Sequence, residues 1–216
     1  MSTSGSRTPL TRDRILAEAM AFADAQGLAA LSMRKLAQQL GVEAMSLYNH
    51  VSNKADLLAG MVDLVAGEFA RPGPGEWRGE MRNRAQAAHA ALMRHRWAAQ
   101  LILTNAEPGP NMLAYVEATL ACLVGAGFSY PQADHIWNTL DAYIYGYTIQ
   151  RQTFPFQPED YAEAAAANME MIPADLFPHL RGLAEKIAVR EHDGIQTLEF
   201  GLDLMLDGME GMRPLT

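Results

Sequence analysis

The chain has 216 residues, 49% of them hydrophobic and 19% charged, which is enough apolar mass for a sizeable core and suits one larger domain or a small domain joined to a medium one. Its single cysteine, Cys122, excludes an internal disulfide framework and suits a reducing, cytoplasmic setting; no apolar run reaches the length of a membrane span, and the start lacks the apolar centre of a signal peptide. The net charge of −8 is unevenly spread: residues 1–54 hold six Lys or Arg against four Asp or Glu, and the rest of the chain eleven against twenty-one.

Residues 1–10, rich in Ser, Thr and Gly, read as a disordered arm, with Arg7, Arg12 and Arg14 as candidate phosphate contacts. Residues 11–26 read as a first helix with Ile15, Ala19, Phe22 and Ala23 on one face and Gly27 as its stop. Ser32 then offers an N-cap hydroxyl, and Leu36, Ala37 and Leu40 follow at helical spacing. Gly41 stands where the chain needs a left-handed residue, and Val42 and Leu47 return to the same small core. A short helix over 44–50 buries Leu47 and leaves Ala44, Met45, Ser46, Tyr48, Asn49 and His50 mostly outward. Amides and short polar groups on such a face can reach base edges, and a tyrosine hydroxyl can reach a phosphate. The pattern is that of a helix-turn-helix, whose second helix enters the DNA major groove; a structural helical corner shares it. Lys54 opens the next helix, where its charge opposes the macrodipole, a conflict that a phosphate would remove and that solvation would equally accommodate.

A connecting helix is expected over 53–70 through Leu57, Leu58, Met61, Leu64, Val65 and Phe69, with the domain boundary near residue 54. Arg-Pro-Gly-Pro-Gly at 71–75 interrupts the chain. Further helices are expected at 76–95, 97–104, 111–125, 131–152, 160–170, 175–191 and 193–211, with no strand alternation, phosphate loop or repeat. The last carries Ile195, Leu198, Leu202, Met205 and Met209 as a heptad seam, with Phe200 and Leu204 off it. The 131–152 helix is apolar around most of its circumference, so both helices must be buried on two sides, by one large core or by a second subunit. The six histidines are scattered, and none forms a metal pair with a cysteine neighbour.

Over Leu31 to Lys54 the chain resembles the tetracycline repressor family of transcriptional regulators: Met-Arg-Lys-Leu-Ala-Gln-Gln-Leu-Gly-Val-Glu and Ser-Leu-Tyr-Asn-His-Val-Ser-Asn-Lys follow the family pattern nearly throughout. The likeness extends back over the first helix and weakly forward to the end. It implies an all-α homodimer, with a three-helix DNA reader over 11–54 and a larger ligand-binding and dimerisation domain over 55–216. The dimer would form through the helices near 131–152 and 193–211. By position Arg34, Ala44, Met45, Ser46, Tyr48, Asn49, His50 and Lys54 occupy the family's DNA-contacting places, Arg34 suited to a guanine and Tyr48, His50 and Lys54 to the backbone. Ala44, Met45 and Asn49 differ from the tetracycline repressor itself, so the operator should differ too.

The resemblance also implies a small-molecule effector. The place of the repressor's metal-binding histidine falls on Ile102, that of the partner-chain acidic residue near Gln150, and those of a pocket asparagine and phenylalanine on Arg84 and Ala88. Without those ligands a magnesium-chelated tetracycline loses its anchor. Candidate pocket residues are Arg84, Ala88, His89, Ile102, Asn105, Val116, Asp134, Trp137, Asn138 and Gln150, with no metal or cofactor expected. The expected activity is ligand-responsive repression from a palindromic operator. An enzyme finds no support in the sequence, and a ligand-independent architectural DNA protein would need extended basic surface.

Overall fold

The computed structural model describes residues 9–104, 107–156, 160–194 and 197–212, and every regular element among them is helical. Most of the arm expected at 1–10, with Arg7, and also Asn105 and Ile195, lie outside the described residues. In chain order the helices are α1 (Arg12–Gln26), α2 (Met33–Leu40), α3 (Ala44–Leu47), α4 (Lys54–Ala66), α5 (Trp77–Arg94), α6 (Ala98–Thr104), α7 (Pro110–Gly125), α8 (Tyr130–Thr153), α9 (Tyr161–Ala167), α10 (Pro178–Ala188) and α11 (Leu198–Glu210). Among the described residues no helix is long and apolar enough to cross a membrane.

Local chemistry sets the ends of the first helices. Thr11 caps α1 by accepting from the Arg14 amide, and Ser32 caps α2 by accepting from the Lys35 amide. Gly41 stops α2 at φ 67° and ψ 36°, the left-handed region where a side chain is strained. Ile15, Ala19, Leu36, Ala37, Leu47, Val51 and Leu57 close a buried core between α1, α2, α3 and the start of α4. The helix expected over 44–50 is regular only to Leu47. Beyond it the Tyr48 and His50 amides bond three residues back, to Met45 and Leu47, so the chain tightens into a turn.

Arg12 is not a free phosphate contact. Its guanidinium is folded onto the reader itself, donating to the Asp56 carboxylate at 2.5 and 3.1 Å and to the His50 carbonyl at 3.0 Å. Asp56 also accepts from the Ser52 amide at 2.7 Å. These bonds, that from Arg12 foremost, bring the Asp56 carboxyl down to about 2 from an ordinary 3.8.

α4 packs against α1 on one side and α5, α6 and α7 on the other. It ends at Ala66, short of the expected residue 70, because Gly67 and the amides of Glu68 and Phe69 turn back on the last carbonyls. α10 and α11 also start later than expected: Pro178 fits the first turn of α10, where no amide is needed, and the Thr197 hydroxyl caps α11 by accepting from the Phe200 amide.

α5 and α11 run side by side, joined by Arg82 to Asp203, Arg78 to Asp207 and Gln86 to Glu199. The apolar seam of α11 does not face outward. Leu198, Leu202 and Met209, with Leu206, are buried in the chain's own core, whereas Phe200 and Leu204 are 63% and 60% exposed. α8 divides likewise: Ile136, Leu140 and Ile144 are buried, and Asp134, Asn138, Ala142, Gly146 and Gln150 form an outer strip. The outward apolar surface of this pair of helices is therefore the off-seam face of α11, Phe200 and Leu204, with Ala142 and Gly146 exposed on α8.

Two outcomes follow. Asp56→Asn should cost about 1 kcal/mol at neutral pH in chemical denaturation, a figure already discounted for the exposure of Arg12. Because the folded carboxyl titrates below its unfolded value, wild type should lose that increment as pH falls from about 4 towards 2, and the variant should not. Leu204→Glu should dissociate the dimer in sedimentation while the helical spectrum of each chain persists.

Candidate functional site

The reader face is exposed where the sequence places it. Arg34, Tyr48 and Asn49 are exposed, Met45 is 74% exposed, and Ala44, Ser46 and His50 are half-buried around the same turn. Lys54 is neither simply solvated nor left for a phosphate alone: its ammonium donates to the Leu31 carbonyl at 2.9 Å. That bond holds the start of α4 against the start of α2 and leaves two of the three ammonium protons for another acceptor.

The reader is tied to the rest of the chain at the α5–α6 corner. The His95 ring lies between two carboxylates, with Nδ1 2.9 Å from Asp24 of α1 and Nε2 3.0 Å from Glu68 just past α4. The Trp97 indole donates to Asp24 at 2.7 Å. The ring thus bridges a carboxylate of α1 and one just past α4. Burial pushes the Glu68 carboxyl up, but bonds from Arg94 and His95 outweigh it and hold it below its usual value.

A cavity of about 250 Å³ lies between α4, α6, α7 and α8. α4 contributes Val62 and Asp63, α6 contributes Ile102, α7 and the turn before it contribute Gly109, Met112 and Val116, and α8 contributes Trp137, Asp141 and Tyr145. Its wall is mostly apolar with a few fixed polar groups, the usual make-up of a small-molecule site. A larger hollow of about 470 Å³ lies between Pro72–Gly75 and the Ala118–Ala126 side of α7. It touches neither α4 nor a charged side chain, so an occupant there has no direct hold on the reader.

Of the pocket residues expected from the sequence, Ile102, Val116 and Trp137 line the cavity. Arg84 sits directly behind it, wholly buried. It is ion-paired with Asp141, its Nε donates to the Thr119 hydroxyl at 3.0 Å, and its guanidinium carbon lies 4.6 Å from the Tyr115 ring centre. Ala88 is core. His89 is turned to the Thr148 hydroxyl at 2.8 Å, and burial lowers its pKa, favouring the neutral ring. Asp134 and Asn138 bond to each other on the exposed strip of α8, and Gln150 is exposed further along it. The cavity face of α8 is the run Trp137, Asp141, Tyr145 at four-residue spacing, and 134, 138 and 150 fall on other faces. Sequence reasoning missed Asp63, Gly109, Met112, Asp141 and Tyr145; the four-residue spacing of a Trp, an Asp and a Tyr was the available signal.

Asp141 is the centre of the buried charge. It receives Arg84 on one oxygen and the Trp137 indole at 2.7 Å on the other, so its charge is compensated before any ligand arrives. Burial raises the Tyr145 hydroxyl well above its ordinary value, and the neighbouring Asp141 carboxylate adds to this.

A reader with an exposed second helix, joined by one helix to a body holding an apolar cavity, defines a ligand-responsive DNA-binding regulator. Residues 15–61 match the profile of bacterial regulatory proteins of the tetR family, and residues 69–213 that of the tetracyclin repressor-like C-terminal domain. The chain is 29% identical to the HTH-type transcriptional repressor DrrR1 of Streptomyces coeruleorubidus over 95% of its own length and 79% of that protein's. It is 30% identical to the class E tetracycline repressor protein of Escherichia coli, over 92% of this chain and 93% of that one. Among solved structures it is similar to the Streptomyces coelicolor TetR family protein ActR in complex with actinorhodin, with a TM-score of 0.79, 29% identity, and coverage of 95% of this chain and 99% of that one. The chain belongs to the tetracycline repressor family and is a homodimeric, ligand-responsive transcriptional regulator.

Arg84→Met should destabilise the protein by about 3–5 kcal/mol in denaturant titration, because Asp141 is left charged and uncompensated inside the fold. Adding Asp141→Leu should return most of that loss.

Proposed function

We propose that the free dimer holds a palindromic operator and releases it when a small molecule other than tetracycline occupies the cavity between α4, α6, α7 and α8. The observation that carries this reading is the shared helix: α4 begins at Lys54, against the reader, and supplies Val62 and Asp63 to the cavity wall. An effector that fits better when α4 is displaced shifts the reader by mass action, and about 1.4 kcal/mol of such coupling gives tenfold induction. The expected effector is a flat, largely apolar organic molecule, matched to the Trp137, Tyr145 and Met112 surfaces. A chelated metal has no imidazole at Ile102, and both lining carboxylates are already engaged. ActR, bound to actinorhodin, is the precedent among similar chains.

On the DNA side, Arg34, Ala44, Met45, Ser46, Tyr48, Asn49, His50 and Lys54 are the proposed contacts, over a reader unit of residues 11–54 with 55–216 as the effector and dimerisation unit. Two such readers on a symmetric dimer match two half-sites one helical turn apart. We read the protein as cytoplasmic and without catalytic activity, in keeping with a family of regulators. The test is operator titration with Arg34→Ala and Tyr48→Ala, on DNA recovered by selecting genomic fragments with the purified dimer. Both should lose operator binding and remain dimers; normal binding by either would overturn the groove assignment.

A further inference from the structure

We propose that the effector acts on the reader through one contact, a clasp in which Asp63 of α4 caps the start of α7; this rests on the cavity being the effector site. Asp63 accepts from the Asn111 amide at 3.3 Å, the Asn111 side chain at 3.2 Å and the Met112 amide at 3.0 Å. The Asn111 side chain in turn accepts from Arg71 at 3.1 Å, so one asparagine binds α4 and the chain just beyond it. α7 draws no side-chain cap from its own N-cap residue, Gly109, and takes a carboxylate from another helix instead.

The same contact is a wall of the cavity, since Asp63, Gly109 and Met112 all line it. Gly109 is pressed against the carboxylate: a Cβ there would stand 2.5 Å from Asp63 Oδ1 and 2.8 Å from Asp63 Cβ. The backbone of Gly109, at φ −81° and ψ 178°, is open to any residue, so closeness to Asp63 rather than conformation calls for glycine. An occupant that pushes the 109–112 turn outward removes the hydrogen bonds that the Asp63 side chain makes among the described residues and frees α4 to move. A carboxylate so released re-solvates, which gives the clasp two discrete states rather than a graded bend.

Gly109→Ala therefore imitates the effector by steric displacement. The measurement is operator affinity of the native dimer, Gly109→Ala, Asp63→Ala and the double variant, on DNA from genomic-fragment selection, with thermal melting alongside. Each single variant is expected to bind about tenfold more weakly with the dimer intact, and the double variant no more weakly than either, because both break one contact. Native affinity in Gly109→Ala, or additive losses of about a hundredfold in the double variant, would overturn the clasp. Should Gly109→Ala fail to fold, Asn111→Asp sets a second carboxylate against Asp63; its operator affinity should be weakened, with the deficit relative to native shrinking as salt rises, and native affinity at low salt would overturn the proposal. A native dimer that enriches no DNA would sink the reader assignment and the clasp with it, whereas native binding with indifferent variants would sink the clasp alone.

Discussion

α4 lies in one continuous hydrophobic core that joins the reader to the body, and the rest of the molecule is arranged around that constraint. Leu57 is fully buried against the reader, Met61 is buried at the middle of the helix, and Val65 and Ala66 are fully buried further along. Each large side chain contributes about 1.5–3 kcal/mol by leaving water, so α4 cannot drift in its groove. It either keeps one packing or changes to another, because close-packed interiors switch rather than flex. Polar ties secure it along its length: Lys54 to the Leu31 carbonyl, Asp56 to Arg12, Asp63 to the start of α7, and Glu68 to Arg94 and His95. The first two bind it to the reader and the last two to the body.

The charge pattern acquires a structural meaning from this arrangement. Four of the body's basic residues are paired within the chain, Arg84 with Asp141 in the interior and Arg78, Arg82 and Arg94 with Asp207, Asp203 and Glu68 nearer the surface. The acidic excess remains outside. At physiological salt a charge is felt over about 8 Å, so an acidic body does not cancel the basic reader but does discourage unspecific contact with DNA.

How much of this could be read from the chain depended on how local each signal was. The helix-turn-helix was legible because its caps, its left-handed glycine and its apolar spacing all lie within about two turns of one another. The apolar seam of α11 was legible as apolar, but not its partner: Leu198 and Leu202 face their own core, and Phe200 and Leu204, off the seam, are left outside. The cavity was least legible. Asp141 matters because Arg84, 57 positions away, neutralises it, and Asp63 matters because α7 begins against it, 48 positions on. Such pairings belong to the packed fold, and a shift of one residue along α8 moves a side chain by about 100°. That is why Trp137 lines the cavity while Asp134 and Asn138 do not.

The most direct measurement is amide hydrogen exchange of the full dimer, free and bound to its operator. Reader and cavity sharing one two-state helix predicts altered protection at the Asn111 and Met112 amides, which bond to Asp63 and lie outside the reader. Changes confined to the reader, with α7 indifferent to DNA, would contradict that account.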